Sequence, residues 1–253
     1  GTKYEHMMLK HATHLALVRL SEPADAAAQA DPSALLAAMG ESGVHELTEA
    51  RFGDMPALTA LAALVLGAHA RPGPVLWVTE AALVREHGRP SARGLLGLGL
   101  DPGRLLTVAA PRPRDALWCV EEGLRSGAVA AVVAALTEAS FTATRRLALA
   151  SEAQGVPAIL LMPHRREGAT AAEARWRVAS APSAPNPYDP KAPGAVRWQA
   201  RLERSRRAPW ATGRQFELEV DDATRSLGVV DRLAARPARP DAWGAGEPLR
   251  HTG

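Results

Sequence analysis

Apolar positions along this chain recur with two different periods, and the switches between them mark out secondary structure. Gly43-Val44-His45-Glu46-Leu47-Thr48 alternates apolar with polar residues as a strand does, whereas Leu58, Leu61, Leu64, Val65 and Ala68 fall on one face of a helix over residues 56–70. A loop, 49–55, lies between them. Residues 74–79 are a continuous apolar run of buried-strand length, residues 104–108 repeat that signal, and the stretch 81–99 between them is helical or irregular. A helix follows over 113–125, with Asp115 in its first turn and Gly127 past its end, then an apolar run over 128–136. Residues 142–154 form another helix, closed by Gly155 with Pro157 beyond it, and 158–162 a further buried strand. Ahead of these, Asp31-Pro32-Ser33 supplies an N-cap and a proline at the first helical position, and Gly40 a stop, which predicts a short helix over 32–39.

Strands alternating with helices imply right-handed βαβ crossovers, so the expected fold is α/β, a mostly parallel sheet with helices on both faces. After Pro163 the helices cease. Residues 174–179, 196–203 and 215–220 alternate apolar with polar positions, which predicts a C-terminal antiparallel extension at the sheet edge with one wet face. Residues 181–194 contain Pro182, Pro185, Pro187, Pro190 and Pro193 and are expected to be a loop or mobile linker. Residues 1–6 show neither period, and His6-Met7 reads as a cloning junction, so they are set aside as a leader foreign to the fold. The expected organisation is an N-terminal segment with one short helix over 7–42, the α/β domain over 43–235, and a disordered Pro/Gly-rich tail over 236–253.

Composition narrows the function classes. Nearly half of the 253 residues are apolar, enough for one substantial core, yet no charge-free apolar run reaches the length of a membrane span and no secretory leader is visible. The expected location is the cytoplasm. Cys119 is the single cysteine, which excludes an internal disulfide and a cysteine-based zinc cluster and reads as a buried helical thiol. The net charge of +3 conceals an asymmetry: residues 1–56 carry 4 basic and 8 acidic groups, residues 145–214 carry 13 and 5, and residues 215–253 carry 5 and 7. Clustered positive charge points to a nucleic-acid or acidic-protein partner.

Four segments carry a family resemblance. The stretch Gly43-Val44-His45-Glu46-Leu47-Thr48-Glu49-Ala50-Arg51-Phe52-Gly53-Asp54-Met55-Pro56-Ala57-Leu58-Thr59 resembles the first motif of the ImuA family. Leu98–Leu106, Asp115–Arg125 and Ala174–Val178 match further blocks in family order, so that the likeness covers roughly 43–220. It implies a RecA-like core and a part in SOS-induced translesion synthesis, as an accessory of the mutasome. The implied partners are a Y-family polymerase homologue and a DnaE-type polymerase, with RecA itself and DNA as further contacts.

In a RecA-like core the loop at 49–59 would be the phosphate-binding loop, whose pattern G-x-x-x-x-G-K-[ST] combines backbone N–H groups, a lysine and a magnesium-binding hydroxyl. Here the loop has a single glycine, Gly53; Glu49 and Asp54 stand where phosphates would sit; and Pro56 removes an N–H from the helix start. Between Lys10 and Lys191 there is no lysine at all, so no change of register supplies one. Arg51 could contact an anion, but its planar fork does not reproduce the compact ammonium. The run 128–136 ends without the acid that would position magnesium, and Glu138 just beyond is the nearest substitute. The expectation is therefore a protein with no catalytic residues and no bound cofactor.

The candidate contact residues are Arg165, Arg166, Arg175, Arg177, Arg197, Arg201, Arg206 and Arg207, interleaved with Trp176, Tyr188, Trp198 and Trp210. Arginine beside stacking aromatics is the chemistry of phosphate and base contact, while the alternative is a solvated arginine-rich sheet face over core tryptophans. Both readings stay open at this stage. Alternation places Arg197, Gln199 and Arg201 on one strand face and Trp198, Ala200 and Leu202 on the core face. Arg165 and Arg166, in the loop after the last core strand, are the leading pair for a nucleic-acid or partner contact. His11 and His14 lack a third ligand, so no metal site is expected; no G-x-S-x-G elbow is present; and the glycines at 94, 97 and 99 are in the wrong order for a dinucleotide fingerprint. From another class, an SOS cell-division inhibitor binding a tubulin-like GTPase also resembles RecA without a working phosphate loop, though the long basic extension fits the mutasome accessory better. A divergent nucleotide-dependent enzyme is the third possibility.

Overall fold

The computed structural model describes residues 18–19, 32–189, 191–221 and 226–229. Strand β1 (Val18–Arg19) is followed by α1 (Pro32–Glu41), β2 (Val44–Glu49), α2 (Met55–His69), β3 (Val75–Glu80), α3 (Ala81–His87), α4 (Ala92–Gly97) and β4 (Leu105–Ala110). Then come α5 (Pro113–Ser126), β5 (Ala131–Ala135), α6 (Phe141–Gln154), β6 (Ala158–Met162), β7 (Ala174–Ala181), β8 (Arg197–Ser205), β9 (Gln215–Asp221) and β10 (Ser226–Val229). Residues 1–6, the histidines His11 and His14, and residues 236–253 lie outside the described residues.

All the strands join one sheet, in the order β1-β9-β8-β7-β2-β6-β5-β3-β4, with β10 also on β9. The six strands from β7 to β4 run parallel, and β8, β9, β1 and β10 are antiparallel. This is the mostly parallel α/β sheet with an antiparallel C-terminal extension that the periodicity predicts. One detail differs: β7 was expected to be antiparallel, yet it pairs parallel with β2, and the chain reverses only at β8. The alternation of side chains is the same in either direction, so direction is not written into it.

Each face of the sheet has its own apolar core. One contains Leu36, Leu58, Leu61, Trp77, Ile159 and the extension residues Trp176, Trp198, Leu202 and Phe216, and so lies under α1, α2 and α4. The other, with Val78, Val120, Leu124, Val132, Leu147 and Leu160, lies under α5 and α6. Because both faces are covered, β2 is buried at every position, charged residues included.

Two glycines mark close packing. Helix α1 runs through Gly40 to Glu41 instead of stopping, and a Cβ at Gly40 would lie 2.8 Å from the His69 Cβ, so this glycine lets α1 approach α2. Gly67 lies against a backbone, with the Gly99 carbonyl carbon 2.7 Å from the position its Cβ would take. Gly127 and Gly155, both left-handed, close α5 and α6 as expected. The proline-rich stretch between β7 and β8 folds back on itself: Pro185 bridges Pro193, and the Asn186 side-chain carbonyl accepts the N–H groups of Tyr188 and Asp189. Among the described residues, no helix is long and apolar enough to cross a membrane.

Candidate functional site

The β2–α2 loop lies at the carboxyl edge of the parallel strands, where open α/β sheets bind ligands. Its two carboxylates turn inward. Glu49, at the end of β2 and 1% exposed, accepts the Met55 N–H at 2.7 Å through Oε1 and the His164 N–H at 3.3 Å through Oε2. Asp54 accepts the Arg51 N–H at 3.0 Å and, from across the sheet, the Ser180 N–H at 2.9 Å. Met55 is the first residue of α2; Pro56 has no N–H; and Ala57 and Leu58 both donate to the Asp54 carbonyl. Every amide of that first turn is therefore engaged by the chain itself, and the anion-receiving end of the helix is filled by Glu49. Arg51 and Gly53 are exposed at the loop tip, with Gly53 in the left-handed region. Phe52 is exposed as well, its ring about 6 Å from those of His87 and His164.

Beside the loop, the first turns of α2 and the α3–α4 segment enclose a cleft of about 230 Å³, lined by Met55, Thr59, Trp77, Thr79, Leu83 and Leu95 among others. Sequence reasoning sought an acid at the end of β5 and found only Glu138, which is exposed on the structure. The carboxylate at that edge belongs instead to the neighbouring strand. Glu80 ends β3, is buried, and accepts both the N–H and the hydroxyl of Thr137 at 2.9 and 2.7 Å. An acid closing an otherwise apolar strand was the signal that could have revealed it. No group of three potential metal ligands occurs among the described residues.

The arginines divide into structural and free sets. Arg166 and Arg175 converge on Glu46, a fully buried carboxylate in mid-β2: Arg175 donates at 2.6 Å, Arg166 at 3.0 Å and the Thr170 hydroxyl at 2.7 Å. Their side chains are only 9% and 10% exposed, so Arg166, half of the leading pair, faces the interior. Arg177 donates to the Glu49 and His164 carbonyls and pairs with Glu203, the residue that a register skip in the β7–β8 ladder leaves unpaired. Arg197 is half-buried, where alternation alone suggested exposure, because Glu219 and Glu217 on β9 hold it. Arg207 is exposed and bonds Glu173 and Ser42. Arg165, Arg201, Arg204 and Arg206 are exposed, and their side chains have no hydrogen-bond or ion-pair partner among the described residues. Trp176, Trp198 and Phe216 are core; Trp210, under the Arg214 guanidinium, and Tyr188 are exposed.

Cys119 is half-buried on α5, not fully buried as expected. Burial first, and the Asp115 carboxylate second, push its thiol pKa up, which makes it a poor nucleophile at neutral pH.

No protein-family model matches the chain. Protein ImuA of Caulobacter vibrioides, in each of two strains, is 36% identical to it over 180 residues, covering 65% of this chain and 70% of the relative. With more than two thirds of the relative matched at that identity, the chain belongs to the ImuA family.

Proposed function

We propose that the protein is a non-catalytic, RecA-like accessory of SOS-induced translesion synthesis and mutagenesis, acting in the cytoplasm through protein contacts and direct DNA contact. Its partners in this reading are a Y-family polymerase homologue, a DnaE-type polymerase and RecA. Family membership supports the pathway. The non-catalytic part rests on one observation: the Glu49 carboxylate, 2.7 Å from the Met55 N–H, occupies the place a phosphate would take in a working loop. A negative charge fixed there repels an incoming phosphate as well as blocking it, and the absence of any lysine between Lys10 and Lys191 removes the group that would outweigh it.

The purified protein is expected to show no ATP turnover above background and no ATP-dependent thermal shift. A magnesium-dependent rate that disappears on substitution of Arg51 or Gly53 would overturn the non-catalytic reading. For the partner assignment, pull-down of purified polymerase homologues and RecA is the expected result. Retention of a tubulin-like division GTPase in place of the polymerases would move the protein to the other class.

A further inference from the structure

One edge of the sheet lacks the usual protections against pairing. At the far end the outer side of β9 is covered by β1 and β10. At the near end β4 bonds β3 alone, and among the described residues nothing pairs with its outer side. Sheet edges are ordinarily blunted by charge, proline, a bulge or shortness. Leu105-Leu106-Thr107-Val108-Ala109-Ala110 has no charge and no proline, and its register with β3 runs unbroken from end to end. Leu106 is 52% exposed. Alternate residues of such a strand direct their N–H and C=O groups outward, which is the template for strand addition.

The surroundings specify what would be added. A groove of about 170 Å³ runs beside β4, lined by Trp77, Val84, Pro90, Leu105, Thr107 and Ala109. Thr107 and Ala109 are small, so the groove has room for a bulky apolar side chain from an incoming strand. Its rim is cationic. Arg89 also lines the groove, and its side chain has no partner among the described residues. Arg104 precedes the strand, bonded to the neutral carbonyls of Gly73 and Arg71, whereas Arg112, which follows it, is already held in a two-bond ion pair by Asp115. Residues 81–115 hold six arginines against three acids.

We propose that β4 is a docking edge for an extended segment of another protein in which bulky apolar residues alternate with acidic ones. The segment adds to the sheet as a further strand, its apolar side chains entering the groove and its carboxylates meeting Arg89 and Arg104. This goes beyond the mutasome reading and stands whichever pathway the protein serves.

Random dodecapeptides displayed on phage and selected against the full chain test it. Enriched sequences should alternate apolar and acidic residues, and the synthetic winner should slow exchange at the outward-facing amides of residues 105–110. Its affinity should fall at least about tenfold with Ala109→Trp, which fills the groove, with Arg89→Glu, and with N-methylation of its ladder-facing amides. Both substituted residues are exposed, and circular dichroism checks that each variant is folded. Enrichment without that alternation, protection elsewhere, or equal binding to both variants would sink the proposal. So would slow exchange at the outward-facing amides of 105–110 in the peptide-free protein: if it depends on concentration a second copy fills the edge, and if not, the chain's own terminal segment does.

Discussion

Glu46 stands at the centre of a strand buried on both faces, and its burial there is offset by two guanidiniums and a hydroxyl that reach it from the segment between β6 and β7 and from β7 itself. Glu46→Gln would leave two arginines buried without a counter-charge and should cost about 3–5 kcal/mol, read as a lower urea midpoint with an unchanged slope. Next to it, His45 is held neutral: burial lowers its pKa to about 4, against the smaller raising effect of the Ser42 carbonyl, to which its ring Nε2–H donates at 2.8 Å. The unfolded chain therefore takes up this proton first as the pH drops. Stability should be level above pH 6.5 and fall by about 3 kcal/mol on the way down to pH 4, and urea titrations of His45→Gln should show a shallower decline over that window. Neither role was legible beforehand. A strand pattern marks 45 and 46 as polar positions, but the groups that make the burial of Glu46 tolerable lie some 120 residues further along the chain, and that of His45 follows from helices covering both faces of the sheet.

Elements were easier to read than their seating. The 3.6-residue period and the closing glycines located α2, α5 and α6, because both are consequences of local backbone geometry. How close a helix lies to its neighbour depends on what faces it, and so Gly40 passed for a stop. Gly67 makes the same point more sharply: α2 rests on the turn at 98–100 with no space for a methyl group, and the obstacle is main chain that cannot rotate aside. Gly67→Ala, ordinarily a helix-stabilising change, should instead destabilise the protein by about 1–3 kcal/mol in chemical denaturation. The β2–α2 loop was partly legible. Its lack of any lysine is a matter of inventory, and the acids were visible in it, but their acceptance of the Met55 and Ser180 amides belongs to three-dimensional placement.

Across the whole molecule the basic segment is less basic than its composition. Glu46, Glu203, Glu217 and Glu219 neutralise much of the arginine face of the extension, leaving Arg165, Arg201, Arg204 and Arg206 exposed and without a partner among the described residues. If that face meets DNA, Arg165→Glu with Arg201→Glu should weaken binding and flatten its dependence on salt, measured by fluorescence anisotropy, while the urea midpoint stays within about 0.5 kcal/mol of the parent. Reversal of Arg166 would unfold the Glu46 network and report nothing about DNA. The same contrast between what is tethered and what is free bears on how such a loop could change over generations. Glu49 is held a few residues from the amide it occupies, at an effective concentration that a dissolved phosphate does not approach. A lysine arriving in this loop would pair with that acid before it met any nucleotide, so phosphate binding at this helix end would have to begin with the loss of Glu49, a step that by itself leaves a buried amide bare. The closed loop thus acts as an evolutionary ratchet, with the order of substitutions dictated by a single hydrogen bond.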